Sequence, residues 1–234
     1  MGVDLCISLD FATADQALNF LGKVKTLIPW VRVTPQLFFP FGVPLLQSLR
    51  NLGYKIFLDL RLCDTPVGMA SALFGLKGQP VDMLSIQSIS GPAGMKFSRI
   101  ACDQALPDTK LVAITVLYHL QRYESKPEHF DNLGKDMLLR YGQIAVQSKV
   151  FRLLCAPYEL PHLYSTFGAN AEYVVLGLRA HLSTLSLQIK NFSRACLAIF
   201  DDSLVRHPNF MDVVDGALEG LRRISADQNQ SKNS

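Results

Sequence analysis

The sequence predicts a closed (β/α)8 barrel, and three observations point to it. Short apolar runs alternate eight times with segments whose apolar residues recur at helical spacing. The apolar runs are nearly continuous, as is typical of parallel strands that are covered on both faces. The length of 234 residues fits eight such units in a single domain. A doubly wound open sheet is the alternative, but neither GxGxxG nor GxxxxGK[ST] occurs in the sequence.

The predicted strands are short and apolar and are bounded by turn residues. They cover residues 3–9, 30–34, 56–60, 83–86, 111–117, 150–155, 173–176 and 196–200. The predicted helices follow them at 13–28, 44–52, 67–74, 95–105, 135–147, 158–167, 185–192 and 211–224. Thr13 and Gln16 form a capping-box pattern, Pro44 is placed just inside the second helix, and Gly53 ends it. The barrel is expected over residues 1–224, with a long polar loop at 118–132 and a polar, disordered tail at 225–234.

Composition and charge exclude several classes of protein. Hydrophobic residues make up 49% of the chain and charged residues 18%, with a net charge of +3. There is no basic run for a nucleic acid, no apolar stretch of membrane-spanning length and no basic segment before the first apolar residues. We therefore expect a soluble cytoplasmic protein. Five cysteines without a CxxC, and histidines without ligand spacing, predict neither a disulfide framework nor a metal site.

Three charged residues lie close together at the end of the third predicted strand. Strand side chains alternate between faces, so Asp59 and Arg61 point to the same side. Asp64 follows where the chain turns, and Pro66 ends the strand. Charges this close beside an apolar strand are costly unless they pair or bind a ligand. Spacing alone leaves two interpretations open, a structural ion-pair cluster and a functional site.

Other polar residues lie at the carboxyl ends of the predicted strands, where barrel enzymes place their active sites. The charged ones combine Arg and Asp, which fits an anionic small molecule. Each candidate has a structural alternative. Asp10 can bond its own backbone in a turn, Thr115 can line the barrel interior, and Arg179 can pair with Asp201 or Asp202. Further residues at these ends are Arg32, Gln87, Cys155 and Gly177. His119 and Cys155 are weak candidates for catalysis, one as a loop residue and the other as part of the core.

Longer stretches around the charged cluster resemble the orotidine 5′-phosphate decarboxylase family. Residues 30–68 read WVRVTPQLFFPFGVPLLQSLRNLGYKIFLDLRLCDTPVG. They are similar to the second and third strand units of that family, which carry VKVG…LF and LDLKLHDIP with its DxKxxD motif. The segments LDFAT, LVAITVL, CAPYE and GLR agree with the family after or within strands one, five, six and seven. The resemblance covers residues 3 to about 224 and is strongest between 30 and 70.

The resemblance implies a homodimer of barrels that converts orotidine 5′-phosphate to UMP without a cofactor. It implies that Asp59 lies against the substrate carboxylate and that Asp64 reaches into the neighbouring chain's site. Arg61 holds the place of the Lys that protonates the carbanion at C6. Further substrate contacts that the resemblance implies are Asp10, Arg32, Thr65, Thr115, Gly177 and Arg179.

The chain departs from the family pattern at residues that bear on chemistry. Arg61 and Arg32 replace lysines, and an Arg gives up its proton at a cost about 3–4 kcal/mol higher than Lys. Gln87 stands where the family usually has His. Phe200 and Asp201 replace the Gly-Arg that grips phosphate, and acids there repel a dianion. Because remote phosphate binding organises the reacting centre, this exchange is expected to reduce turnover as well as affinity.

Three functions remain open from the sequence. The first is a slow orotidine 5′-phosphate decarboxylase of pyrimidine biosynthesis. The second is a non-catalytic homologue that acts as a binding or regulatory dimer. The third is a barrel lyase that acts on a different substrate. The expected partners are a nucleotide-like small molecule and a second copy of the chain, and neither nucleic acid nor membrane.

Overall fold

The structure is a computed structural model that describes residues 3–24, 27–116, 132–192 and 194–230. In these residues eight parallel strands form a closed barrel in the order β1 to β8. The strands are β1 Asp4–Ser8, β2 Trp30–Val33, β3 Lys55–Leu62, β4 Met83–Gln87, β5 Lys110–Ile114, β6 Arg152–Cys155, β7 Glu172–Leu178 and β8 Leu197–Phe200. The predicted (β/α)8 barrel is thus confirmed, and the open-sheet alternative is wrong.

Each strand is followed by at least one helix. The helices are α1 Ala14–Val24, α2 Pro35–Asn51, α3 Pro66–Gly75, α4 Gly91–Ala105, α5 Asn132–Gln147, α6 Leu160–Phe167, α7 Leu182–Asn191, α8 Ser203–Arg206 and α9 Phe210–Gln230. A short 3-10 helix, Ser88–Ser90, joins β4 to α4. In the part of the chain that the structure describes, no helix is both long and apolar enough to cross a membrane.

Contacts between residues group the chain into two compact units, Met1–Lys55 with Val175–Ser234, and Ile56–Val174. In the first unit β1 pairs in parallel with β2 on one side and with β8 on the other. Ile7, Val31 and Phe200 are fully buried in this part of the sheet. The capping-box prediction is met at its N-cap side, since the Thr13 hydroxyl accepts the Gln16 N–H at 3.3 Å.

In the second unit β4 pairs in parallel with β3 and β5, and β5 pairs with β6. Phe57, Leu84 and Val112 are fully buried, as near-continuous apolar strands predict. Ser85 is a polar residue inside β4 that is also fully buried. Buried hydroxyl groups are costly without a hydrogen bond, and the partner of Ser85 belongs to the candidate site.

The second helix differs most from its prediction. The structure begins α2 at Pro35, directly after Thr34, whereas the sequence pattern placed its start at Pro44. Gly42 breaks the helix with a φ of 56° and a ψ of −147°, so Pro44 opens its second half. Pro44 therefore does mark a helix start, but a helical segment with its own N-terminal proline precedes it.

Other differences lie at the ends of elements. β3 continues to Leu62, β7 continues through Gly177 to Leu178, and α9 continues to Gln230 instead of ending at 224. Most of the predicted 118–132 loop, with His119, lies outside the described residues, as do residues 231–234 of the predicted tail.

Candidate functional site

The structure brings Asp59 and Arg61 together at the end of β3. Arg61 Nε lies 3.6 Å from Asp59 Oδ2, and the Asp59 side chain is fully buried. The spacing of these residues predicted that they share a side, but the strand is not regular here. Four residue steps of β3, from Leu58 to Leu62, face two steps of β4, from Leu84 to Ile86. The charged pair therefore lies inside a bulge, a device that re-aims side chains next to functional sites.

The backbone of Arg61 is held in an unusual conformation. Its φ of 52° lies in the left-handed region, which costs a residue with a Cβ about 1–2 kcal/mol. The Arg61 N–H donates a hydrogen bond of 2.7 Å to the Ser85 hydroxyl on β4. This bond satisfies the buried Ser85 oxygen and fixes the bulge. Ser85 is thus part of the site although sequence reasoning missed it; its signal was a polar residue inside an apolar strand.

Asp64 and Thr65 lie at the start of α3, beyond the Asp59–Arg61 pair. The Asp64 carboxylate accepts the Thr65 N–H at 2.6 Å and is exposed. Thr65 is the N-cap of α3, and its hydroxyl accepts the Gly68 N–H at 3.2 Å. A Cβ at Gly68 would lie about 2.5 Å from the Asp64 carboxyl group, so only glycine leaves Asp64 its observed position. Local backbone bonds therefore hold both residues that were predicted as site residues.

Thr115 follows the last residue of β5 and is 2% exposed. Its hydroxyl oxygen has no hydrogen-bond partner among the described residues. Gln87 ends β4 and is 8% exposed. Cys155, predicted as core, is buried at the end of β6.

In the first unit, Arg32 of β2 is 7% exposed, and its Nη1 donates to the Ser8 hydroxyl of β1 at 2.7 Å. The paired register of Ser8 with Arg32 brings these side chains together. Asp10 lies two residues beyond β1 and is half-buried. Ser8 is a second polar strand residue that sequence reasoning missed as a partner of a predicted site residue.

Arg179 follows β7 and pairs with Asp201, which follows β8. Arg179 Nε lies 3.6 Å from Asp201 Oδ2, so the predicted alternative of an Arg–Asp pair is present. Asp201 Oδ1 also accepts the Ser203 N–H at 3.0 Å and the Ser203 hydroxyl at closer range. Gly177 lies inside β7, not after it as predicted, with a φ of 119°.

The backbone N–H groups at these strand ends are bonded to side chains of the chain itself. The Arg179 N–H donates to Gln188 Oε1 at 2.9 Å, and the Ala180 N–H donates to the Ser203 hydroxyl at 2.8 Å. Barrels frequently bind phosphate with the loops after strands seven and eight and the start of a short extra helix. Here α8 is a short helix after β8, and the Asp201 carboxylate accepts the N–H of Ser203, its first residue.

Glu159 is a buried acid that sequence reasoning left out of the site. It precedes α6, is 1% exposed, and its Oε2 accepts the Ala156 N–H at 2.7 Å. Burial raises the pKa of Glu159 to about 7, and the Ala156 hydrogen bond opposes that rise. From sequence alone, an acidic residue after a strand is expected at the surface. Only the structure shows that the Glu159 side chain is buried.

A sequence model described as the orotidine 5′-phosphate decarboxylase / HUMPS family matches residues 4–157. The chain belongs to this family. The matched residues contain Asp10, Arg32, Asp59, Arg61, Asp64, Thr65 and Thr115. The match ends before Gly177 and Arg179, where the chain's own side chains occupy the backbone donors.

Individual relatives agree with the family assignment. The chain is 28% identical over 180 residues to the orotidine 5′-phosphate decarboxylase of Fusobacterium nucleatum, with 76% of each chain covered. It is 25% identical over 179 residues to that of Opitutus terrae, with 76% of this chain and 78% of the relative covered. The crystal structure of orotidine 5′-phosphate decarboxylase from Lactobacillus acidophilus has the same fold. It superposes with a TM-score of 0.78 at 20% identity, over 94% of this chain and 99% of the other.

Proposed function

We propose that this chain is an orotidine 5′-phosphate decarboxylase-like protein with strongly reduced decarboxylation. The observation that carries the proposal is the Asp59–Arg61 pair, with Nε 3.6 Å from Oδ2, in the place of the family's Asp and Lys. A guanidinium holds its proton roughly two to three pKa units more tightly than an ammonium group. It is also a planar fork that binds its partner in a different geometry. We therefore expect proton donation to a carbanion to be the step that is slowed.

In this proposal Asp59, Arg61 and Asp64 are the catalytic residues, and no cofactor takes part. The substrate contacts are Asp10, Arg32, Thr65, Thr115, Gly177 and Arg179. The ligand is orotidine 5′-phosphate or UMP, the process is pyrimidine biosynthesis, and the compartment is the cytoplasm. The buried Asp59 carboxylate fits its role, because a fixed negative charge against the substrate carboxylate favours loss of CO₂ over retention.

The contacts of Asp201 support weak phosphate binding. Its carboxylate lies 3.6 Å from the Arg179 guanidinium and takes hydrogen bonds from Ser203. A phosphate would have to displace this carboxylate or accept its repulsion. Loss of phosphate binding energy lowers turnover as well as affinity, because that energy organises the reacting centre.

We further propose that the chain acts as a homodimer through an apolar surface of the second unit. Val67 and Ile89 are 67% and 60% exposed, and Phe97 and Ile100 of α4 are 45% and 47% exposed. Large apolar side chains that are exposed together mark interaction surfaces. Sedimentation of the wild type and of an Ile89→Lys variant tests this, since the charge should shift the chain toward monomer. A wild type that sediments as a monomer at all concentrations contradicts the dimer.

The decisive experiment measures decarboxylation directly. Purified protein is mixed with orotidine 5′-phosphate, and loss of the orotate absorbance is followed at high enzyme concentration. The Asp59→Asn variant sets the background, and the Fusobacterium nucleatum enzyme provides the full family rate. We expect a rate above that of the Asp59→Asn variant but far below that of the Fusobacterium nucleatum enzyme. A rate equal to the relative's would refute the reduced activity.

A second candidate function is a non-catalytic binding protein. It is favoured because the Arg179 guanidinium already pairs with Asp201 and the N–H groups of Arg179 and Ala180 are already bonded to side chains of this chain. A rate indistinguishable from the Asp59→Asn background would select this candidate. Thermal unfolding with UMP then separates a retained ligand site from a lost one, because specific binding to the native state must raise the midpoint. The third possibility, a lyase for another substrate, stays a prediction.

A further inference from the structure

A buried serine of β1 holds an arginine of β2 in the first unit. Ser8 is the last residue of β1 and is fully buried, and Arg32 of β2 is 7% exposed. Arg32 Nη1 donates a hydrogen bond of 2.7 Å to the Ser8 hydroxyl. Serine lies mostly at the surface of proteins, and a buried hydroxyl group is costly without a hydrogen bond. The bond from Arg32 therefore accounts for a polar side chain at this apolar strand end.

The backbone of Arg32 is held by β1 as well. Ser8 and Arg32 are partners in the parallel pairing of β1 with β2. The Leu9 N–H donates to the Arg32 carbonyl oxygen at 3.0 Å. Leu9 thus fixes the backbone of Arg32, and Ser8 fixes the end of its side chain. Because a guanidinium is a rigid planar group, fixing Nη1 also restricts where Nε and Nη2 can lie.

A hydroxyl group holds a guanidinium without cancelling its charge. A carboxylate at position 8 would bond to Arg32 more strongly, but it would also neutralise the positive charge. Ser8 contributes direction alone, so it does not reduce the attraction of Arg32 for an anionic ligand. That attraction is stronger at an enclosed strand end than in water, because the effective dielectric constant is lower there. The Ser8–Arg32 pair therefore suits a site that binds an anion.

We propose that Ser8 is a positioning residue that orients the Arg32 guanidinium toward a bound nucleotide. This inference rests on the proposed function in one respect, because it takes Arg32 as a substrate contact. Ser8 is fully buried and acts through the guanidinium, without touching the ligand. Without the Ser8 hydroxyl, a buried N–H group of Arg32 loses its acceptor. The side chain then turns toward another acceptor, and its contact with the nucleotide weakens.

A double-mutant cycle on UMP binding tests the proposal. Titration calorimetry is applied to Ser8→Ala, to Arg32→Met and to the double variant. We expect Ser8→Ala to weaken UMP binding about tenfold, the value of one hydrogen bond to a charged group. In the Arg32→Met background the same change should have no further effect, because the guanidinium through which Ser8 acts is absent. Ser8→Thr keeps the hydroxyl and should bind UMP with nearly the wild-type affinity.

Ser98→Ala is the matched control for a buried serine. Ser98 is also fully buried, and its hydroxyl donates to the Gly94 carbonyl oxygen at 2.8 Å within α4. This variant should lower the urea midpoint and leave UMP affinity unchanged, which separates lost stability from lost positioning.

Three results would overturn the proposal. They are a wild type that does not bind UMP, a Ser8→Ala variant that binds UMP as tightly as the wild type, and an equal loss of affinity in both Arg32 backgrounds. None of these measurements needs turnover. A failure of positioning by Ser8 is therefore distinguishable from a failure of orotidine 5′-phosphate decarboxylation.

Discussion

Arg61 Nε lies 3.6 Å from Asp59 Oδ2, in a bulge where four residue steps of β3 face two of β4. The Ser85 hydroxyl accepts the Arg61 N–H and so fixes the left-handed backbone at Arg61. The conformation is thus set by the strand and its neighbour, and not by the long guanidinium. A shorter cation at position 61 can keep the same backbone and the same partner.

We therefore expect Arg61→Lys to raise decarboxylation of orotidine 5′-phosphate about 10²-fold, the lower end of what a positioned general acid contributes. Both residues carry a Cβ, so the strain of the positive φ is unchanged. The measurement is kcat/KM from the loss of orotate absorbance. Arg61→Gln is the control, a shorter neutral side chain whose amide does not act as a general acid, and it should not exceed the wild type. A Lys variant no faster than the Gln variant would show that another step is limiting.

Asp201→Asn should raise the affinity for UMP relative to uridine. The change removes one negative charge beside Arg179 and leaves Oδ1 able to accept from Ser203. Removing a repulsive charge near a phosphate is worth roughly 1 kcal/mol, or about fivefold in affinity. Titration calorimetry with the two ligands gives the ratio.

Asp202→Asn is the control for this experiment, because Asp202, the residue before α8, pairs with Arg206 of that helix at 2.9 Å. This variant removes one negative charge at the neighbouring position. Its ratio of UMP affinity to uridine affinity should be closer to that of the wild type. Equal ratios in the wild type and in Asp201→Asn would mean that Asp201 does not face a bound phosphate.

The fold could be predicted because its signals are local and consistent. Buried parallel strands read as continuous apolar runs, and the helix after β1 carries its capping residues at the required spacing. The predicted start of α2 was wrong because the segment contains three prolines. Each of Pro35, Pro40 and Pro44 is compatible with a helix start in isolation. Only packing decides that the helix begins at the first and breaks at Gly42.

The site was predictable only in part, because only some of its contacts are local in sequence. Asp59 and Arg61 are two residues apart, so strand geometry alone placed them together. Arg32 meets Ser8 across a separation of 24 residues, and such partners depend on strand register. The bulge could not be foreseen, since a positive φ is rare for Arg and here depends on a hydrogen bond to Ser85.

Gly68→Ala should weaken UMP binding to a similar extent as Asp64→Asn, without removing any charge. The added Cβ would lie about 2.5 Å from the Asp64 carboxyl group and must push this side chain away. Helix α3 itself should gain up to about 1 kcal/mol, because Ala is the better helix former. Calorimetry with UMP and urea unfolding separate the two effects.

Gly75→Ala is the matched control in the same helix, where an added Cβ meets nothing within 4 Å. It should leave UMP binding at the wild-type value. If Gly68→Ala binds UMP as well as Gly75→Ala does, the position of the Asp64 carboxylate does not matter for the ligand.

Glu159→Gln should remove a pH dependence of stability between about pH 4.5 and 7. Burial raises the pKa of Glu159 from 4.5 to about 7, so the unfolded chain ionises first as pH rises. The free energy of unfolding of the wild type should therefore fall by about 3 kcal/mol across this range and then level off. Gln cannot ionise but can still accept the Ala156 N–H, so the variant should exceed the wild type in stability at pH 8 and not at pH 4.5. Urea unfolding at several pH values measures this difference.

The control for the pH series is Glu219→Gln, which changes an exposed acid of α9 paired with Arg223. An exposed pair of this kind is worth at most about 1 kcal/mol, so this variant should follow the wild-type curve closely. If Glu159→Gln and Glu219→Gln follow the same curve, Glu159 is ionised in the native protein at neutral pH. In that case the enclosure of its carboxyl group does not raise its pKa.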